Sequence, residues 1–255
     1  MLPAQRVVVP KCWLSKLYLS KHMLPFVADI GGAQAIIPVD ASGRLCLDRV
    51  AEEDGWRRLD ALYQRHKGTG KATPKTLVDR INYSGSLFSQ PPHYENARRM
   101  VLYPTSGDIM RAARTNPGSG FVDSSLFWHV AQSEAEAGYL VALLNAPCLR
   151  QAFFESRESG RHFHLHPWRK VPLPRFDSQN PLHMELARLC DIAEEVAFGA
   201  AQDKPSASQP ALSKHIRDRL AAEKISTAID NVVAQLLPDQ AVLPHGGTLP
   251  LSLWD

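Results

Sequence analysis

The chain has 255 residues, 44% hydrophobic and 22% charged, with a formal net charge of +3. That balance allows a packed core, as one large domain or a main domain with a small appendage. No apolar run reaches membrane-spanning length, and the four cysteines (Cys12, Cys46, Cys148, Cys190) form no C-x-x-C pair, which argues against a zinc ribbon or disulfide framework.

Buried free thiols are the expectation instead. Met1 to Pro10 holds no apolar core followed by a small-residue cleavage site, so the protein is expected to be cytoplasmic.

The first forty residues hold short apolar pieces broken by Pro and Gly. Val7-Val8-Val9 and Ala35-Ile36-Ile37-Pro38-Val39 read as strands, and Ala41-Ser42-Gly43 as a turn. From Leu47 to His66 the period becomes helical, with Val50, Trp56, Leu59, Leu62 and Tyr63 on one face. A basic loop follows, Lys67 to Lys71. It lacks the G-x-x-x-x-G-K-[ST] spacing of a phosphate loop and is rejected as one. Pro74 is placed to open a second helix through Leu77 and Ile81.

Met100 to Tyr103, Phe121-Val122 and Leu126 to Val130 read as strands, with a turn at Asn116 to Gly120. Ser133-Glu134-Ala135-Glu136 is a capping box, and Tyr139, Leu140, Leu143 and Leu144 give its helix a buried face. Pro147 starts a further helix through Phe153 and Phe154. The stretch from His162 to Pro174 is expected to be extended. Asn180-Pro181 opens a long helix with Leu182, Leu186, Leu189, Ala193 and Val196 at helical spacing. Two more helices are predicted, Leu212 to Ala222 and Ile225 to Leu237.

Cations gather in three segments. Residues 57–80 carry seven Lys/Arg against two acids, 98–114 four Arg against one, and 150–175 six against two. Brought to one face, they would neutralise phosphates. Phe163 and Trp168 lie beside Arg161, Arg169 and Lys170, a composition that suits contacts to phosphates and bases. The residues predicted to touch DNA are Arg111, Arg114, Arg161, His162, His164, Arg169 and Lys170. His162, His164 and His166 alternate, which in a strand would put three imidazoles on one side. A small metal-dependent nuclease using them is the enzymatic alternative. No G-x-S-x-G elbow and no dinucleotide fingerprint is present.

Three segments in order carry a resemblance. Tyr139 to Ala146 (YLVALLNA) resembles the YLxALLNS helix of target-recognition domains in type I specificity subunits and fused adenine methyltransferases. Val171 to Asp177 (VPLPRFD) resembles their LPIPxFD piece. Asn180 to Ala197 resembles their NPLHxELAxLxxxAEEVA helix. The chain thus resembles the C-terminal portion of N6-adenine DNA methyltransferases of restriction-modification and related phage-defence systems, most strongly over residues 98–200.

That resemblance implies an α+β fold, a target-recognition-like mixed sheet with flanking helices over 1–200; the polar composition of 201–210 reads as a linker, and 211–255 as a small helical appendage with an irregular tail. It also implies double-stranded DNA and a methyltransferase or restriction subunit as partners. The Gly-rich cofactor turn and the Asn-Pro-Pro-aromatic motif of those enzymes are missing here. No catalytic residue, cofactor or metal is therefore assigned to this chain, and S-adenosylmethionine is expected on the partner. A structural subunit that never touches DNA is the remaining alternative.

Overall fold

The strongest local helix signal is realised as written. In the computed structural model, which describes residues 6–40, 45–47, 50–70, 73–85, 98–157, 160, 162–163, 167, 171 and 173–237, Ser133 Oγ accepts from Glu136 N at 3.1 Å. Glu136 reaches back to Gln132 N at 2.6 Å, one residue before the cap. Counted in chain order, the described α-helices are α1 (Asp54–His66), α2 (Leu77–Gly85), α3 (Glu134–Asn145), α4 (Arg150–Glu155), α5 (Pro181–Asp203), α6 (Gln209–Ala222) and α7 (Ile225–Leu236). The strands are β1 (Leu14–Tyr18), β2 (Gln34–Ile36), β3 (Met100–Pro104), β4 (Ala113–Thr115), β5 (Phe121–Val122) and β6 (Leu126–Val130).

The fold is α+β, with two three-stranded sheets among the described residues. The chain divides into two compact units and passes between them repeatedly. The first takes residues 1–18, 32–95 and 117–124, and the second takes 19–31, 96–116 and 125–255.

The first unit holds a mixed sheet. β1 lies between antiparallel β2 (Leu14 opposite Ile36) and parallel β5 (Leu17 opposite Phe121). Trp13 meets Trp56 of α1 edge-on at 5.9 Å, and Val50, Leu77, Val78 and Ile81 pack around them. Thr76 and Asp79 bond reciprocally at 3.0 and 3.1 Å, which fixes the start of α2 at Leu77, three residues beyond Pro74. The predicted strand at Val7 to Val9 is not one. These residues carry no regular structure and pass α1 so closely that a Cβ on Gly55 would meet the Val8 carbonyl.

The second unit is built on antiparallel β4-β3-β6, with every residue of the central strand β3 buried. α3 is buried from Ala137 to Leu144, as befits a helix that is apolar all round. It packs against α5, where Gly138 allows close approach. A Cβ there would lie 3.3 Å from the Ala187 backbone. Asn180 Oδ1 caps α5 through Leu182 N at 3.0 Å, with Pro181 in the first turn.

The predicted linker does not separate two cores. α5 runs on to Asp203, and Leu212, Ile216 and Leu220 of α6 share one cluster with Ile225, Ile229 and Val233 of α7 and the buried face of α5. The C-terminal helices therefore belong to the second unit. Of the thiols, Cys190 alone is buried, whereas Cys12 and Cys148 are exposed. No helix among the described residues is long and apolar enough to cross a membrane.

Candidate nucleic-acid interface

The segments that carry the family resemblance are bonded to one another. Asn145, at the end of α3, donates from Nδ2 to Ala112 O at 2.8 Å and accepts at Oδ1 from Ala112 N at 3.1 Å. Its Nδ2 also reaches Val141 O at 2.9 Å. Tyr139 Oη donates to Pro174 O at 2.6 Å. His183 Nδ1 accepts from Asp177 N at 2.9 Å, and the His183 ring stacks near Tyr139 and Phe176. The extended piece Leu173–Asp177 is thereby fastened to α3 at one end and α5 at the other.

Of the residues predicted to touch DNA, Arg111, Arg114 and His162 are described. Arg114, on β4, has a side chain only 2% exposed. Its Nε donates to Glu194 Oε1 at 2.8 Å, one terminal nitrogen to Glu194 Oε2 at 3.1 Å, and the other to Glu134 O at 3.0 Å. Asp191 accepts from it as well. Burial opposes the charged form, but the bonds and charges of Glu194, Cys190 and Asp191 outweigh it and the guanidinium is held above its ordinary pKa. Arg98 joins the same network, with Glu194 at 2.6 Å and Asp191 at 3.8 Å. Arg114 is thus an internal ion-pair partner, with four of its five N–H donors engaged inside the protein and a buried side chain, rather than a surface cation open to phosphate.

Arg111 is half-buried. It donates to Ser20 O at 3.1 Å and Ser20 Oγ at 3.0 Å, while its Nε is buried without a partner. Burial, then the charge of Arg217, lower its pKa. His162 is exposed and bridges Ser106, and Phe163 N donates to Thr105 O at 2.9 Å. Phe163 itself is buried in the core and unavailable for stacking on a base.

Arg161, His164, Arg169 and Lys170 lie outside the described residues, as do His166 and Trp168. The expected extended run is interrupted at Pro167, which is helical and accepts from Val171 N at 3.0 Å. Proline suits the first turn of a helix, where its missing N–H is not needed. Among the described residues no group of three or more His, Cys, Asp or Glu is placed to hold a metal ion.

Arg150, counted only within the cationic segment 150–175, and Arg217 are not among the predicted contacts. Both line a cleft of about 380 Å³ in the second unit, between α6, α7 and the β3–β4 connection. Nothing local marks them, because they come from different helices 67 residues apart. No protein-family model and no curated protein sequence matches the chain.

Proposed function

We propose that this chain is a non-catalytic DNA target-recognition module, acting in the cytoplasm with an N6-adenine methyltransferase or restriction partner. One observation carries the reading. Tyr139 and His183 bond the piece 173–177 to both helices, which supports treating the three resemblance-bearing segments as one unit. On this reading the partner supplies S-adenosylmethionine and the reactive site, and cationic side chains of this chain grip phosphates.

The test is gel-shift binding to duplex DNA across a salt series, with and without the methyltransferase partner. Binding that weakens with salt is expected, as is its loss on charge reversal at Arg161 and Lys170. No binding at low salt in either setting would sink the reading. Intact assembly and activity after charge reversal would favour a purely structural subunit.

A further inference from the structure

We propose that the cleft lined by Arg150 and Arg217 binds a phosphate ester, with the two guanidinium groups holding the phosphate. Arg150 begins α4 and Arg217 lies mid-way along α6. Both are half-buried, and neither side chain makes a hydrogen bond or ion pair with another described residue. Two carboxylates share the cleft but are already engaged. Asp218 is held by Lys214 Nζ at 2.6 Å, and Asp230 accepts from Cys148 N at 3.0 Å. Neither arginine side chain is bonded to either carboxylate.

The two like charges act unfavourably on each other. Burial and then Arg150 lower the pKa of Arg217, with Asp218 offsetting part of this, and Arg217 in turn lowers that of Arg111. Like charges collected in a partly dry cleft are the arrangement an anion relieves.

The rest of the lining fits an ester better than a bare anion. Phe26, Ile109, Met110 and Ile229 give an apolar floor, and the Ser226 and Thr227 hydroxyls stand at the start of α7. Lys224 precedes that helix in the left-handed region (φ 60°) and supplies no side-chain cap. The first-turn amides of α7 thus add positive potential on the same side. The volume lies at the lower end of the range of small-molecule sites. The ester is either a free mononucleotide or a backbone phosphate of DNA, and the cleft can serve the first even if the chain never recognises duplex.

The experiment compares the full chain, an R150M/R217M variant and a K11A/K204A variant that loses the same charge elsewhere. Thermal melting and calorimetry are run with dAMP, deoxyadenosine and a short duplex at matched ionic strength. The expected result is that dAMP raises the Tm of the full chain and of K11A/K204A. R150M/R217M should melt no lower without ligand and bind dAMP at least tenfold more weakly. If dAMP is ignored but duplex binding falls at least tenfold in R150M/R217M alone, the phosphate is that of DNA and the assignment stands. Equal binding of deoxyadenosine and dAMP overturns it. So does a pair of arginines whose loss changes neither dAMP nor duplex binding.

Discussion

The side-chain amide of Asn145 pairs with both backbone groups of Ala112, donating at 2.8 Å and accepting at 3.1 Å, as a neighbouring strand would. Ala112 is fully buried; its carbonyl also accepts from Phe26 N at 2.9 Å, whereas its N–H donates to Asn145 Oδ1. Asn145→Leu keeps the volume and strands the Ala112 N–H, while the carbonyl keeps Phe26 N. A loss of about 1–3 kcal/mol in urea unfolding is expected, from one buried backbone donor left unsatisfied. An Asn145→Leu variant as stable as the parent would show that Ala112 finds another partner.

Arg114 and Glu194 give the second prediction. Removing one partner of a buried pair leaves a charge without its counter-ion, at about 3–5 kcal/mol. Arg98 still reaches Glu194 at 2.6 Å, so Arg114→Met should fall at the lower end, about 3 kcal/mol. The double variant R114M/E194M should recover part of that loss in a double-mutant cycle. If the chain binds DNA, the salt slope of a folded R114M/E194M protein should match the parent's, because Arg114 faces no phosphate.

Acid should weaken the second unit. His183 and His129 both have pKa values lowered by burial, with nearby acidic or backbone groups offsetting part of the shift. In the unfolded chain a histidine titrates near about 6.5. Their contribution is therefore complete above that pH and is lost as pH falls through the lower folded values, where the unfolded state binds more protons. Chemical denaturation at pH 7.5, 6.5 and 5.5 should show the decline. His183→Gln, whose amide oxygen can still accept from Asp177 N, should flatten it.

Cys148 is exposed yet should react slowly. Burial of its thiol, together with Asp230, pushes the pKa up to about 12. At pH 8 that leaves about one thiolate in ten thousand. Mass spectrometry after timed alkylation should find Cys12 modified before Cys148, and buried Cys190 last. Asp230→Asn should speed Cys148. Equal rates in parent and variant would rule out the carboxylate as a cause.

The legible parts of the fold were those set by residues close in sequence. The Ser133 capping box, the Asn180-Pro181 start of α5 and the apolar run of β3 each carry their signal within a few residues. β1 was missed because its pattern is inverted: Leu14 faces solvent at 47% exposure while Ser15 is buried at 4%. Val7 to Val9 misled for the opposite reason, being apolar without a strand to pair with. Arg114 was misjudged because charge was counted over residues 98–114, whereas its acids Asp191 and Glu194 come about 80 residues later, on α5. The arginine cleft was invisible for the same reason, its two cations being supplied by separate helices.

The mixed sheet of the first unit sets an order of events during synthesis. β1 needs β5 as its parallel partner, with Leu17 opposite Phe121, and Asp123 N bonds Tyr18 O at 3.1 Å. One edge of β1 can pair with nearby β2, but the other waits for a segment about a hundred positions downstream. Meanwhile the ribosome delivers β3 and β4, which belong to the other unit. Until residue 122 emerges, β1 offers an unpaired edge to any passing strand, so the nascent chain is most exposed to mispairing and to chaperone capture in that interval.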